Sequence, residues 1–409
     1  MKYEVFWKNP GYKPRPALKK NIECDHLIVG GGIMGVSLAY FLNKMGAKNI
    51  VLIEKNTVGS GATGKSAGFL ALKGEIDLTD IMAKYGKERG RDFWRANHEG
   101  LNLFKELVKK EKISCDFEVE DTIYGSIVEG RIDDKQEISV LQEYIIEKEI
   151  EKDPKLLTGK ELKKEIKTPL FLYALKSHHQ GASLNPLKFL QKFSQAIGKK
   201  GVKIFENTKL RKISKNTAIT SKGKIKFKKI ILATDLAIRS SAIKALRSTI
   251  TISQKLTKKQ LKSINLTPHK MVWDSDIIYH YMKITGDDRI LLGYGDKLVK
   301  KDMTPELHKP HLKRIESFYK KLFPNINLKI EYAWSGDFGV TSDRIPIIDT
   351  KGNKISTGGA ASQVVSAITA KHIAHKLLNK KHYLDDFFKH IKRNKHKFEL
   401  FGFVKHYQK

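Results

Sequence analysis

The sequence predicts an α/β fold in which a discontinuous first domain is joined to a second, α+β domain built on an antiparallel sheet. Three observations carry this. A buried run, a glycine cluster, a helix with an apolar face and a second buried run follow one another within residues 24–56. A later run, KKIILATD (228–235), and a glycine-led helix, STGGAASQVVSAITAKHIAHKLL (356–378), supply more of the same layer. Between them, DFEVEDTIYGSIVEG (116–130) and SDIIYHYMKITGDDRILLGYGD (275–296) alternate in strand fashion, the latter around a Gly-Asp turn.

The first stretch reads CDHLIVGGGIMGVSLAYFLNKMGAKNIVLIEKN, with the spacing Gly30-x-Gly32-x-x-Gly35 directly after the strand. Gly30 permits the tight turn, Gly32 lets the backbone approach a pyrophosphate, and Gly35 lets the helix pack on the strand. Ile33, Val36, Leu38, Ala39, Phe41 and Leu42 form the apolar face of the helix. Glu54 closes the second strand, where a carboxylate accepts from ribose hydroxyls. Strand, glycines, helix, strand and acid in order make a Rossmann-type dinucleotide unit.

Composition bounds the rest. A chain of 409 residues, 40% hydrophobic and 30% charged, is long enough for two cores. No apolar leader and no stretch approaching eighteen apolar residues is present, so neither secretion nor a membrane span is expected and the compartment is read as cytoplasmic. Cys24 and Cys115 make no disulfide framework and have no partner at metal-ligand spacing, so no metal site is expected. The net charge of +33 would suit an anionic partner, yet only 12 of the 77 basic residues are arginine, and lysines are scattered through every segment. That pattern reads mainly as a compositional bias, with a tRNA-sized substrate kept as an alternative. The densest basic stretch is the tail at 386–409; residues 1–21 form an N-terminal extension. Nothing in the sequence sets an oligomeric state.

Residues 59–66, GSGATGKS, match the phosphate-loop pattern of nucleoside triphosphatases. The context argues against that use. Gly68 and Gly74 interrupt the following stretch, where a phosphate-loop helix would run unbroken, and the strand–loop–helix is already supplied upstream. The run IVGGGIMG, then VLIEKNTVGSGATGKSAGFL, resembles the opening of the D-amino-acid oxidase-like family of FAD-dependent oxidoreductases, whose members include glycine and sarcosine oxidases. In that family the second loop wraps flavin and pyrophosphate. Three later stretches are similar to further family segments: GASLNPLKFLQKFSQAIGKKGVKIFENTKL (181–210), KKIILATD, and YAWSGDFGVTSDRIPIID (332–349). The glycine-led helix at 356–378 resembles the closing one.

The resemblance implies non-covalent FAD, touched by Gly30, Gly32, Ile33, Met34, Gly35, Glu54 and Lys55, then by Gly61, Ala62, Thr63, Lys65, Ser66, Ala67 and Gly68. It extends the same role to Val202 and Lys203 near the adenine, to Ala233, Thr234 and Gly336, and to Gly358, Gly359, Ala361, Ser362 and Gln363 at the flavin ring. Ala361 and Gln363 stand where the family usually has further glycines. The implied FAD domain comprises 22–95, 180–240 and 330–385, and the substrate domain 96–179 and 241–329. The implied reaction is oxidation of the C–N bond of a small-molecule amine or amino acid to an imine. Tyr281 and Lys283 share one strand face, with Tyr279, and are candidates to clamp the substrate; Lys283 stands near where similar oxidases have arginine. Arg344 is a second candidate. The alternatives are a flavoenzyme acting on a tRNA wobble uridine, a phosphate-loop triphosphatase, or a non-catalytic Rossmann binding protein.

Overall fold

The strand Ile22–Val29 sends Ile28 into one core while Leu27 and Val29 enter another, which is why its last three residues are apolar without alternation. A computed structural model describes residues 1–72, 77–127, 134–150, 153–238, 240–276, 279–299 and 308–391. Gly74 and residues 392–409 of the basic tail lie outside the described residues.

The first sheet has eight strands. Lys203–Phe205, Ile50–Ile53, Ile22–Val29, Lys224–Leu232 and Lys354–Gly358 lie side by side and parallel, with Ile347–Lys351 antiparallel at the edge. Leu210–Ser214 and Thr217–Thr220 meander antiparallel off Lys224–Leu232. The helices Ile33–Lys44, Lys87–Lys110, Pro186–Lys199 and Gln363–Leu377 cover one face through Leu38, Phe104, Phe189 and Ile373. Leu18, Ala218 and Phe227 close the other. Strand order reverses at Ile22–Val29, with Ile50–Ile53 on one side and Lys224–Leu232 on the other, the switch point whose C-terminal strand ends carry ligands in open α/β sheets.

The second sheet has nine strands, in the order Ile330–Val340, Lys244–Ser253, Ile290–Leu298, Tyr281–Ile284, Lys270–Asp274, Glu118–Ile127, Phe171–Ser183 and Phe69–Ala71, with Lys155–Thr158 beside Phe171–Ser183. Its pairs are antiparallel except one. Lys270–Asp274 runs parallel to Glu118–Ile127, since the sheet is assembled from two distant stretches that meet there. Met282, Ile284 and Leu292 bury their side chains against Tyr319 and Phe323 of the 308–323 region. Within the stretch 330–385, the strand Ile330–Val340 hydrogen-bonds in this second sheet. The helix Lys87–Lys110, which crosses position 95, packs into the first core.

Candidate functional site

The glycines at the end of the first strand are set by contact. Gly30 has φ +118°, and a Cβ on it would stand 2.3 Å from the Ala233 carbonyl oxygen. One on Gly35 would stand 2.0 Å from the Gly30 carbonyl oxygen, so helix and strand touch through backbone alone. Gly32 is different: a Cβ there would meet nothing closer than Thr63 Oγ1 at 3.5 Å. It precedes the helix that begins with Ile33 and Met34, and no side chain caps that helix from the Gly32 position. Thr63 Oγ1 accepts from Ile33 N at 3.2 Å, which ties the second loop to the first. Gly61, ahead of the short helix Ala62–Lys65, would place a Cβ in open space. Two backbone turns thus face room that side chains would fill, the form of a dinucleotide cradle.

Glu54 sits beside that space. Its carboxylate accepts from Gly31 N at 2.7 Å and Asn56 N at 2.9 Å, one bond per oxygen, and each oxygen retains acceptor capacity for a hydroxyl. Lys55 follows it, exposed. Val202 and Lys203 are not brought here. They lie where Lys203–Phe205 begins, whereas the residues after its end meet the site: Thr208 N donates to the Glu54 carbonyl at 2.8 Å.

The loop that matched the phosphate pattern does not lead into a long helix. Ala62–Lys65 is one turn, and the chain then enters the strand Phe69–Ala71 of the second sheet, which removes the triphosphatase reading. Gly64 packs against the Gly59 carbonyl, and Gly68, at φ +77°, against that of Leu184. The carbonyls of Lys65 and Ser66 accept from the indoles of Trp334 and Trp7, both at 2.7 Å. A Cβ on Gly336 would meet that of Lys65 at 3.4 Å. Ala67 is buried with Trp334 and Ile250.

The turn before the closing helix approaches the same loop. Asp235 accepts from Gly339 N at 2.7 Å and Gly359 N at 3.0 Å, so it binds the turn to the strand end carrying Ala233 and Thr234. Gly359 has φ +81°, and Gly358 packs on Asp235. Ser362 caps the helix by accepting from Val365 N at 3.4 Å; Ala361, beside it, is half-buried. Gln363 donates to Ser66 Oγ at 3.3 Å, while its Oε1 is buried without a partner among the described residues. A buried orphan acceptor at a helix N-terminus, beside an open glycine cradle, fits a cofactor that offers a donor edge. Cys24 and Cys115 are buried, and burial pushes both thiols up to about 12, so neither supplies a thiolate for a flavin linkage.

On the second sheet, Tyr281 borders the loop. It packs in the cluster that holds Ala67 and Trp334, edge-on to Phe69 at 5.7 Å, and its hydroxyl meets Ser248 Oγ at 3.2 Å. Tyr279 lies 5.9 Å away, ring to ring. Lys283 is on the same strand face but is committed elsewhere. Its ammonium is buried against Glu120 and Ser183, with Glu118 Oε2 at 3.5 Å. Arg344 is half-buried at φ +57°; burial raises the Asp80 carboxyl above its ordinary range, and the Arg344 charge opposes that rise. Motif reasoning missed Trp7, Asp235 as a turn anchor, and Glu206, a fully buried carboxylate that holds Val58 N at 2.6 Å. The only signal for Asp235 was its place after a buried strand; Trp7 lies in no periodic pattern.

A family model described as FAD dependent oxidoreductase (DAO) matches residues 25–375. Among curated relatives, the chain is 28% identical over 349 residues to gamma-glutamylputrescine oxidoreductase of Escherichia coli, covering 82% of this chain and 78% of that protein. It is 35% identical over 75 residues to the glycine oxidase of Bacillus licheniformis, 18% of this chain and 20% of that one. Among solved structures, glycine oxidase from Geobacillus kaustophilus superposes with a TM-score of 0.73 at 17% identity, covering 90% of this chain and 100% of the other. L-proline dehydrogenase from P. horikoshii superposes at 0.72 and 20% identity, covering 91% and 97%.

Proposed function

Because the chain belongs to the FAD-dependent oxidoreductase family (DAO), we propose that it oxidises the C–N bond of an amine or amino acid to an imine, with hydride passing to the flavin. The observation that carries this reading is the meeting of Tyr281 with the loop of Ala67 and Phe69: a substrate-facing sheet abuts the cofactor loop there. The names of the relatives, an amine oxidoreductase and a glycine oxidase, support the substrate class. Bound FAD supplies the hydride acceptor. The residues Gly30, Gly32, Gly61 and Glu54 would hold its pyrophosphate and ribose, and the helix that starts at Gln363 would present its positive end to the ring. Tyr281 orients the substrate, and the aromatic wall of Phe69 and Trp334 keeps water from it. Lys283 serves the sheet, not the substrate.

The same reading divides the chain into an FAD domain at 22–95, 180–240 and 330–385 and a substrate domain at 96–179 and 241–329, with Ile330–Val340 pairing into the substrate-domain sheet and the helix Lys87–Lys110 running across the boundary at 95. It places the enzyme in a reducing cytoplasm; among the described residues, no helix is long and apolar enough to cross a membrane. The +33 charge is the one observation favouring a tRNA substrate, and that reading requires tRNA binding that weakens steeply with salt. The test of the main reading is anaerobic mixing of the FAD-loaded protein with a panel of primary and secondary amines and amino acids. Bleaching of the visible flavin band by at least one of them, with imine hydrolysis products recovered, is expected. FAD-loaded protein that no amine or amino acid reduces would sink the assignment.

A further inference from the structure

Residues 1–18 run as a strap across both layers. Lys2 exchanges backbone hydrogen bonds with the second sheet, donating to the Glu331 carbonyl at 2.7 Å and accepting from Ala333 N at 3.0 Å. Further along, Asn9 donates to Gln191 at 2.8 Å and Tyr12 to Glu206 at 2.8 Å, both on the first layer. Trp7 lies between these anchors, half-buried, where its indole N–H reaches the Ser66 carbonyl at 2.7 Å.

Two indoles therefore hold two consecutive carbonyls of the loop, Trp334 on Lys65 and Trp7 on Ser66, with their rings edge-on at 6.4 Å. A trans peptide is planar, so fixing the Ser66 carbonyl toward Trp7 turns the Ala67 N–H to the opposite face of the loop. The loop has other ties, Thr63 Oγ1 to Ile33 N and Ser66 Oγ to Gln363 among them, but the side chain that holds the Ser66 carbonyl is Trp7. Glu206, which Tyr12 holds, also accepts from Val58 N at 2.6 Å, so the strap secures the same loop a second time at its other end.

We propose that Trp7 is a positioning residue for the flavin: its indole sets the Ser66–Ala67 peptide before the cofactor arrives, so that the loop 61–68 is preorganised for binding. This rests on loop 61–68 being a wall of the flavin site. Trp7→Phe keeps the ring against Trp334 and removes only the donor. Asn9→Ala is the second variant, loosening the strap without touching the loop.

The experiment is hydrogen exchange of the apo-proteins, followed by FAD titration and visible circular dichroism of the loaded forms. Exchange across 61–68 in apo Trp7→Phe is expected to rise about fivefold or more, with FAD binding weakened about five- to tenfold and an altered flavin dichroic band. Asn9→Ala is expected to move in the same direction by about twofold or more. Unchanged exchange, affinity and dichroism in Trp7→Phe overturn the proposal; should that variant not fold, unchanged values in Asn9→Ala do so. If FAD gives no protection to 61–68 in the unsubstituted protein, the loop assignment itself falls, a result distinct from an ordered loop that ignores Trp7.

Discussion

Replacing Lys283 by methionine separates two roles that the strand pattern alone left joined. Its ammonium is buried with Glu120, a carboxylate that is 0% exposed and whose Oε2 has no partner among the described residues. Removing the cation leaves an uncompensated buried charge, which costs about 3–5 kcal/mol. For a chain of 409 residues, an unfolding entropy of about 2.1 cal/mol/K per residue gives a melting temperature lower by about 4–6 °C, and about twice that if the second layer melts separately. The double variant Lys283→Met, Glu120→Gln removes both charges and is expected to recover most of the loss. Calorimetry of the single and double variants, beside amine steady-state kinetics, checks this. The account expects KM within about twofold of the parent in the double variant. If Lys283→Met melted with the parent while its KM rose tenfold or more, the ammonium would be serving substrate and the reasoning would be wrong.

Two further outcomes follow from the geometry. Gly61→Val is expected to leave the melting of the apo-protein unchanged, because a Cβ there meets nothing within 4 Å at an ordinary φ of −84°, yet to weaken FAD binding at least tenfold, read by titration. Acid is expected to destabilise the closing-helix end. Burial, first, and neighbouring histidines push His372 and His382 down to about 4, with Asp385 opposing in both. The unfolded chain binds these protons near pH 6.5 and the folded one near 4, so stability is full above about 6.5 and drains as pH falls toward 4. Melts across that range should show the loss, and His372→Phe, a ring already stacked on Phe388 at 4.7 Å, should flatten it.

The first unit was legible because its signals are local. Gly30, Gly32, Gly35 and Glu54 act through backbone turns and one strand end, and spacing along the chain fixes those. The loop 59–68 was tied to a flavin only by resemblance; Gly68 and Gly74 after it argued against a triphosphatase, and the one-turn helix and the strand that follows remove that reading. Lys283 shows the limit of alternation: the pattern assigns a face, but Glu120 and Ser183 come from other strands whose register no single stretch reveals. Val202 and Lys203 show another limit, because a crossover strand is recognised more readily than which of its ends lies beside Glu54. Trp7 acts through one hydrogen bond to distant backbone and Asp235 through two, for which the sequence carries no period.

The most direct test of the central claim, that two glycine turns and Glu54 hold FAD without a covalent link, is the visible spectrum of the purified protein before and after denaturation and filtration. A flavin spectrum whose colour passes entirely into the filtrate is the predicted result. A colourless protein that takes up no added FAD, or a flavin retained with the denatured chain, would contradict it.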